Sequence, residues 1–323
     1  MPDGVGSGEP THDDKRQLPE PRLTRHWCGP GAAGARGPPT QVMTEPLPDA
    51  RSSPAARRDI LFRAFLAAFL MLFVGMVLTL LVADLMYPKA VHWRQALTTG
   101  RAEVWFAIRL SLLTSTITLI ASVIVALPSA YVLSRFKLPG ATIIDTIIDL
   151  PIVIPPPVIG LSLLVAFGPK GFGIDAFLEG RFGFAMMYEA WGIPLAQFMV
   201  AAGFCIRALK AAFDSINPRL EHVARSLGCS SWQAFWRVSL PLARNGLIAG
   251  AIMTWARALS EFGPILFFCG ATPGKTEVLP ISMFLNYSEA KIERAVVLAL
   301  IMVLIAAGTL ISFKKLGGKG YLW

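Results

Sequence analysis

The sequence has few of the residues from which catalytic and metal sites are built. Charged residues make up 16% of its 323 residues, and there are only four cysteines and four histidines. The cysteines lie far apart without a CxxC pair, so the pattern predicts neither a zinc site nor a disulfide framework. The apolar segments contain no paired carboxylates, histidine cluster or nucleophile–base motif. We therefore predict no catalytic and no metal-binding residues.

Apolar residues are abundant, at 54% of the chain, and they fall in long blocks. A soluble domain carries roughly a quarter charged residues, and about 20 apolar residues suffice for a helix that crosses a bilayer. The predicted fold class is an all-α polytopic membrane protein. The net charge of +9 does not indicate a nucleic-acid-binding protein, because no soluble domain with a basic face is left once the spans are removed.

Six transmembrane helices are predicted, at residues 61–83, 104–133, 141–167, 185–209, 242–268 and 295–313. The third is interrupted by Pro155, Pro156 and Pro157, which remove backbone donors and break a helix. In lipid, such a break persists only where protein or a water-filled cavity satisfies the freed groups. Two interpretations stay open: a kink used for helix packing, or part of a transport pathway.

The distribution of lysine and arginine predicts the orientation. With the N-terminus inside, the inner flanks carry fifteen of these residues and the outer loops carry eight, which favours both termini being cytoplasmic. Residues 1–57 are rich in Pro, Gly, Ala and Arg and are predicted to form a disordered cytoplasmic tail. Met43 is an alternative start of the native chain.

A short amphipathic helix pair is predicted between the fourth and fifth spans, on the cytoplasmic side. Asn217 followed by Pro218 is typical of a helix start, and Glu221 then falls in the first turn, where a carboxylate suits the helix dipole. Gly228 is typical of a helix end. This first helix is therefore expected to occupy the stretch between Pro218 and Gly228.

The second helix of the pair is predicted to start at a serine cap, Ser230 or Ser231, and to end at Pro241. Three aromatic residues at spacing i, i+3, i+4 form one face of it. From the residues alone, this face suits either the lipid interface or the groove of a soluble partner. The aromatic residues are Trp232, Phe235 and Trp236.

The stretch from Gly228 to Pro241 has the spacing G-x9-[I/V]-x-L-P. This spacing resembles the second half of the EAA loop of ABC importer permeases. In the first half Ala224 matches the family, His222 stands where the family often has a glutamate, and Glu221 lies one position early. RLSLLTSTITLIASVIVALPSAYVLSRF, LPIVIPPPVIGLSLL and WARALSEFGPILFFCG resemble other blocks of type I ABC importer permeases, so the resemblance covers residues 104–313.

The resemblance implies a permease core domain at residues 103–315. A first transmembrane helix with its outer loop would precede it at 58–102, and a short tail would follow at 316–323. In this family the EAA loop forms a coupling helix in a cleft of the cytosolic ATPase subunit, whose closure rocks the membrane helices to alternate access. By residue matching, the coupling residues are Glu221, Ala224, Gly228, Trp232, Phe235, Trp236, Leu240 and Pro241.

The resemblance also implies the partners and the location. The chain would lie in the cytoplasmic (inner) membrane with a dimer of ATPase subunits, a periplasmic oxyanion-binding protein and a second permease copy, as a homodimer. ATP would be bound and hydrolysed by the ATPase partner. The chain itself is therefore expected to be no enzyme and to hold no cofactor.

The substrate expectation rests on PPPVIGLSLL, ARALSEFGPILFFCG and PGKTEVLP, which resemble the oxyanion branch of the family. A six-span chain with a short C-terminus resembles the self-pairing molybdate and tungstate permeases. Sulfate or thiosulfate permeases, which usually pair two different subunits, are the alternative. A secondary transporter is less favoured, because it offers no reason for the helix pair and shows no clear inverted repeat.

Ionisable residues in the spans are candidates for the pathway. Arg257 and Glu261 share one face of the fifth span. Either Arg257 helps pass a dianion while Glu261 holds the arginine, or the two form an internal salt bridge. Asp145 and Asp149, near the inner end of the third span, are expected at the interface or at a helix start rather than in contact with an anion.

One motif imitates a nucleotide site. GATPGKT, residues 270–276, resembles the phosphate-binding loop G-x4-G-K-[ST], but Cys269 stands where the first glycine is required. The motif also follows a membrane span on the outer side instead of a strand. We therefore predict that it binds no ATP.

Overall fold

The computed structural model describes residues 54–89, 91, 93, 100–136 and 138–316. The chain divides into two compact units, Met1–Phe65 and Leu66–Trp323. Of the first unit, only the beginning of helix α1 (Pro54–Met86) is described, and this helix starts inside the predicted tail. The rest of that tail, with Met43, and the C-terminal residues 317–323 lie outside the described residues.

Regular structure in the described part of the second unit is helical throughout, which confirms the all-α prediction. Ser231–Ala234, the π-helical segment and α9 form one continuous helical run. The helices after α1 are α2 (Arg101–Arg135), α3 (Ala141–Val153), α4 (Pro156–Phe167), α5 (Ile174–Phe182), α6 (Gly192–Asp214), α7 (Arg219–Ser226), α8 (Ser231–Ala234), a π-helical segment (Phe235–Ser239), α9 (Leu240–Leu259), α10 (Gly263–Phe268), α11 (Leu279–Ser288) and α12 (Ile292–Leu316).

Within the described residues, four helices are long and apolar enough to span a membrane: α1, α2, α6 and α12. The pair α3–α4 makes a fifth span if it is counted as one, although its two halves are bent by 107°. The predicted fifth span corresponds to α9 and α10. Arg244, Asn245 and Arg257 lower its hydropathy, so it does not stand out in the same way, and the count of six spans stays a prediction.

The predicted fourth span is displaced. The helix α6 begins at Gly192 and not near residue 185, because the apolar stretch before it is irregular. Gly183 ends α5 with a φ of +72°, and Tyr188 also has a positive φ of 56°. The Asp175 side chain accepts hydrogen bonds from the backbone N–H groups of the two methionines at positions 186 and 187. Apolar composition alone therefore misplaced the start of the helix.

Helix α6 lies at the centre of the packing and contacts α2, α3 and α9. Small residues let α9 approach closely. A Cβ atom on Gly246 would lie 2.2 Å from the Cβ of Ala212, and one on Gly250 would lie 3.0 Å from the Cβ of Ala208. Close packing at small residues is the usual way in which membrane helices associate.

Two helix breaks lie side by side. Ile154 and Pro155 are extended and separate α3 from α4, because the residue before a proline avoids the helical conformation. Ser260, Glu261 and Phe262 separate α9 from α10, whose first turn contains a proline. At each break a glycine faces a proline of the other break. Gly263 packs on Pro157, and Gly160 packs on Pro264.

The contact between the breaks predicts a position that tolerates no side chain. In Gly160→Ala the new Cβ atom would lie 2.7 Å from the Cα atom of Pro264. Because this neighbour is backbone, we expect a loss of about 1–3 kcal/mol in the free energy of unfolding and a lower thermal midpoint of the purified protein. Gly180→Ala in α5 is the control, since nothing lies within 4 Å of its Cβ. Equal midpoints for Gly160→Ala and wild type would contradict the packing.

Candidate functional site

The first helix of the segment Asn217–Pro241, called here the helix-pair segment, has the predicted caps. The side-chain oxygen of Asn217 accepts a hydrogen bond from the N–H of Arg219 at 3.0 Å. At the other end Gly228 has a φ of +94°. Gly228 N–H donates to Arg225 O and Cys229 N–H to Ala224 O, at 3.0 and 3.1 Å, which is the Schellman arrangement. The local signals in the sequence are thus confirmed.

The second helix starts at a capping box and does not end at Pro241. Ser230 and Gln233 exchange side-chain and backbone hydrogen bonds at 3.0 and 3.2 Å. The prediction that Pro241 ends this helix is wrong. Leu240 N–H donates to Phe235 O, five residues back, and this wider π turn leads directly into α9. Pro241 then falls in the first turn of α9, directly after the π turn, and the helical run continues through it.

The three aromatic residues contact one another but divide between two environments. The Trp232 and Trp236 rings meet edge to face at 5.6 Å between centroids, and their side chains are 70% and 47% exposed. Phe235 is buried instead. Its ring packs edge-on against Tyr131 at 4.8 Å and lies 6.2 Å from Phe213. The single predicted aromatic face is therefore an exposed tryptophan pair backed by a buried phenylalanine.

Glu221 points into the protein. Tyr131 Oη donates to its Oε2 at 2.9 Å, and Arg135 Nε donates to its Oε1 at 2.7 Å, while Arg135 Nη2 also donates to Ile216 O at 3.2 Å. Burial of the carboxyl group works toward a higher pKa. The polar groups around the carboxylate, with Arg135 and Tyr131 as its hydrogen-bond donors, outweigh this, so the pKa of Glu221 lies below the ordinary value of a glutamate. The group is a buried carboxylate at neutral pH.

Other predicted residues of the segment lie nearer the surface. Ala224 and Leu240 are half-buried, and Pro241 is exposed. His222, which occupies the usual place of the family's glutamate, is also exposed. Adjacent positions on a helix face directions about 100° apart, so Glu221 and His222 cannot play the same role.

The predicted pathway residues lie at the helix breaks. Arg257 Nη2 is 2.7 Å from Glu261 Oε1, with side-chain exposures of 32% and 1%. The two side chains therefore form an ion pair, which both interpretations contain, so the choice between them stays open. Next to it, Gln197 Nε2 donates to Ala258 O at 2.9 Å, and Thr118 Oγ1 donates to Gln197 Oε1 at 2.9 Å. Gln197 thus bonds a backbone carbonyl at the end of α9, and Thr118 holds the Gln197 side chain in place.

Comparison with known proteins identifies the architecture. The family described as the inner membrane component of binding-protein-dependent transport systems matches residues 119–315, which is more than half of the chain. The chain belongs to this family. The matched range contains the helix-pair segment and both helix breaks, so the permease carries its distinctive features within the family domain.

Individual relatives share much of their length with the permease. The molybdate/tungstate transport system permease protein WtpB of Thermococcus kodakarensis is 38% identical over 213 residues, which cover 66% of this chain and 78% of WtpB. The sulfate transport system permease protein CysW of Synechocystis is 31% identical over 252 residues, covering 76% and 90%. A chain of the bacterial alginate ABC transporter in complex with an alginate pentasaccharide-bound periplasmic protein has a TM-score of 0.68 at 18% identity, covering 84% and 99%. This last likeness shows a shared fold.

The two aspartates of the permease in α3 are paired with cations of α6. Asp149 contacts Arg207, and Asp145 lies 3.9 Å from Arg207 and 3.6 Å from Lys210. These contacts join α3 to the second half of α6. The sequence placed the aspartates near the inner end of the third span, but it did not predict their partners, which are about 60 positions away.

The turn that imitates a phosphate-binding loop bonds to itself. Thr276 Oγ1 accepts from Thr272 N–H and donates to Gly270 O, and Gly274 N–H donates to the Glu277 carboxylate. Backbone donors that a phosphate needs are thus used within the turn. The turn connects α10 to α11, two helices, which is not the strand-to-helix context of a nucleotide loop.

Sequence reasoning missed Tyr131 and Gln197, and it treated Arg135 only as an orientation signal. Tyr131 and Arg135 form the buried site around Glu221, and Gln197 satisfies the end of α9. A tyrosine or glutamine in an apolar span offers a weak signal, since such residues are enriched where they have a partner. The identity of the partner is set by packing and is not visible in the spacing.

Gly228 gives a test of the site's local structure. Its positive φ disfavours any residue with a Cβ, although no atom lies within 4 Å of that position. Gly228→Ala therefore isolates backbone strain, about 1–2 kcal/mol. We expect amide hydrogen exchange in residues 217–230 to become about five- to thirtyfold faster, with a smaller change in Gly228→Asn, because asparagine tolerates this conformation better. Unchanged exchange in both variants would contradict the assigned cap.

Proposed function

We propose that the chain is the membrane subunit of an ATP-driven importer for an oxyanion, with molybdate or tungstate as the substrate. The identity to WtpB, 38% over 213 residues, carries this proposal. Sulfate or thiosulfate is the alternative, which the similarity to CysW supports. Molybdate, tungstate and sulfate are tetrahedral dianions, so one pathway chemistry serves each of them.

The helix-pair segment is the proposed docking site of the ATPase subunit. The exposed Trp232–Trp236 pair lies outside the predicted spans on a segment that is capped at both helices. Tryptophan, with tyrosine and arginine, is enriched among the residues that supply most of the binding energy in protein interfaces. Next to the segment's first helix end, a surface cleft is lined by polar residues, among them His222, Arg225 and Ser226. A polar cleft beside aromatic anchors suits a protein partner better than lipid.

We place this end of the permease in the cytoplasm, with both termini on the same side. Arg219, Arg225, Arg237 and Arg244 are all exposed around the helix-pair segment. Cytoplasmic loops carry such an excess of arginine and lysine. The membrane is the cytoplasmic (inner) membrane of the cell.

The transport pathway is proposed to run alongside the two helix breaks, between α3 and α4 and between α9 and α10. Broken helices in a membrane persist where protein or a water-filled cavity satisfies the backbone. At the start of α4, Pro156 and Pro157 have no N–H to offer an anion. Positive charge for a dianion is better supplied by Arg257, which keeps a third of its surface exposed while the buried Glu261 holds it.

The remaining parts of the importer are proposed as separate chains. Residues 103–315 form the permease core, and a second copy completes the pathway as a homodimer. A periplasmic oxyanion-binding protein delivers the substrate. A dimer of cytoplasmic ATPase subunits binds and hydrolyses ATP, so the permease itself is no enzyme and holds no cofactor.

Removal of the tryptophan pair tests the docking site. Trp232→Ala with Trp236→Ala deletes the exposed anchors, and we expect the complex to weaken by about 2 kcal/mol or more, roughly thirtyfold. The ATPase subunit should then no longer co-purify, and uptake should be lost. Trp191→Ala is the control. This tryptophan is 68% exposed, but it lies at the start of α6, whereas the helix-pair segment follows the end of α6. A double variant that keeps both the ATPase and ATP-dependent uptake would show that the segment does not dock it.

The substrate is tested on the solute-binding protein that works with this permease. We expect it to bind molybdate and tungstate more tightly than sulfate, as measured by titration calorimetry, and uptake into proteoliposomes to follow the same order. Preference for sulfate or thiosulfate would support the alternative substrate. A binding protein that ignores all of these anions would remove the oxyanion assignment, and uptake without any ATPase would favour a secondary transporter.

A further inference from the structure

The end of α2 is joined to the helix-pair segment by buried polar contacts. The side chains of Arg135 and Glu221 are only 8% and 10% exposed, and Arg135 Nε lies 2.7 Å from Glu221 Oε1. Tyr131, one turn earlier in α2, donates to the other carboxylate oxygen at 2.9 Å. Both oxygens of Glu221 are therefore bonded within the chain, and the carboxylate faces α2 instead of the surface.

Arg135 also holds the turn between α6 and α7. Its Nη2 donates to the carbonyl of Ile216 at 3.2 Å while its Nε bonds Glu221. The planar guanidinium directs these two bonds in a fixed geometry. A single side chain thus connects the end of α2, the turn after α6 and the first turn of α7.

Tyr131 extends the connection to the exposed tryptophans through ring contacts. Its ring centroid lies 4.8 Å from that of Phe235, and the Phe235 centroid lies 5.4 Å from that of Trp236. Tyr131 also packs edge-on against Phe213 at 5.6 Å. An unbroken series of contacts therefore runs from the surface of the helix-pair segment to the last turn of α2.

We propose that Arg135, Tyr131 and Glu221 are positioning residues that fasten the helix-pair segment to α2, so that the ATPase moves both together. The inference rests on the proposed function, because it requires an ATPase that docks on the tryptophan pair. It gives Glu221 a role different from contact with the partner. In this role the carboxylate of Glu221, buried inside the permease, transmits movement of the helix-pair segment to α2.

An ion pair suits this role better than apolar packing does. Apolar contacts are not directional and permit sliding between faces, whereas the bonds around Glu221 fix one relative position of α2 and α7. Loss of one partner leaves the other charge buried and unpaired, which is strongly unfavourable. The helix-pair segment therefore stays attached to α2 when the ATPase moves it, provided that both Arg135 and Glu221 are present.

Arg135 distinguishes this role from direct contact between Glu221 and the ATPase. If Glu221 bonds the partner, substitution of Glu221 weakens docking, and Arg135, which is 8% exposed, matters little. If Glu221 fastens the segment to α2, both substitutions act on the same link. The complex then still assembles, but ATP hydrolysis moves the helices less effectively.

The test uses the full complex of permease, ATPase and binding protein in proteoliposomes. The variants are Arg135→Gln, Glu221→Gln, the two combined, and Tyr131→Phe, and the readouts are co-purification, ATP hydrolysis and anions imported per ATP. We expect co-purification to persist and anions per ATP to fall about tenfold in each glutamine variant, a change usual for coupling between sites. The double variant should be no worse than the worse single one, because the same link is lost.

Arg294→Gln is the matched control. Arg294 forms an ion pair with Glu103 at 2.7 Å between α12 and α2, near the opposite end of α2 from Arg135. Its loss should leave anions per ATP unchanged. Tyr131→Phe removes one oxygen and keeps the ring, so we expect it to fold even if the charge variants do not. Its ratio of anions imported per ATP should fall about threefold.

The outcomes separate the inference from the proposed function. Normal import per ATP in Arg135→Gln would overturn the inference, and so would loss of ATPase binding in Glu221→Gln alone. If the charge variants fail to fold, a wild-type ratio in Tyr131→Phe would overturn it as well. Failure of the ATPase to co-purify with the wild-type chain would instead refute the proposed function itself.

Discussion

Backbone amide groups inside a bilayer have no water to bond, and this constraint governs the interior of the permease. Both α3–α4 and α9–α10 are interrupted within predicted spans, the first at Pro155 and the second just before Pro264. Such interruptions are tolerated where protein surrounds them. The breaks accordingly lie against each other, with glycines facing prolines, and Gln197 donates to the carbonyl of Ala258, which also accepts the N–H of Glu261, at the end of α9. The bend of 107° between α3 and α4 lies at the extended residues Ile154 and Pro155 of the first break.

The parts of this architecture that depend on neighbouring residues could be predicted from the sequence. Asn217, Gly228 and Ser230 act on backbone groups two to five positions away, so their types and spacing already determine the caps. The same holds for the run Pro155–Pro157, at which one helix ends and the next begins. Long apolar runs likewise located α1, α2, α6 and α12, although the start of α6 was misplaced by about seven residues, because composition does not distinguish an apolar loop from an apolar helix.

Contacts between distant residues could not be predicted in this way. Arg135 and Glu221 are 86 positions apart, and Gln197 and Ala258 are 61 apart. Their pairing depends on how α2, α6 and α9 pack, and no local pattern encodes that packing. The course of the chain at Pro241 is a related case. Proline is typical of helix ends and first turns, but here the π turn before Pro241 joins the preceding helix to α9 without a break.

Helix α2 connects the helix breaks inside the bundle with the helix-pair segment. Thr118 bonds Gln197 beside the helix breaks, and Arg135 bonds Glu221 in the helix-pair segment. These positions are 17 residues apart, or about 25 Å along a helix that rises 1.5 Å per residue. The residues between them include Ser122, Ala126 and Ala130, all buried. Since a closely packed interface of this kind resists deformation, these residues make α2 a continuous packed connection between the segment and the breaks, although the helix contains Pro128 on the way.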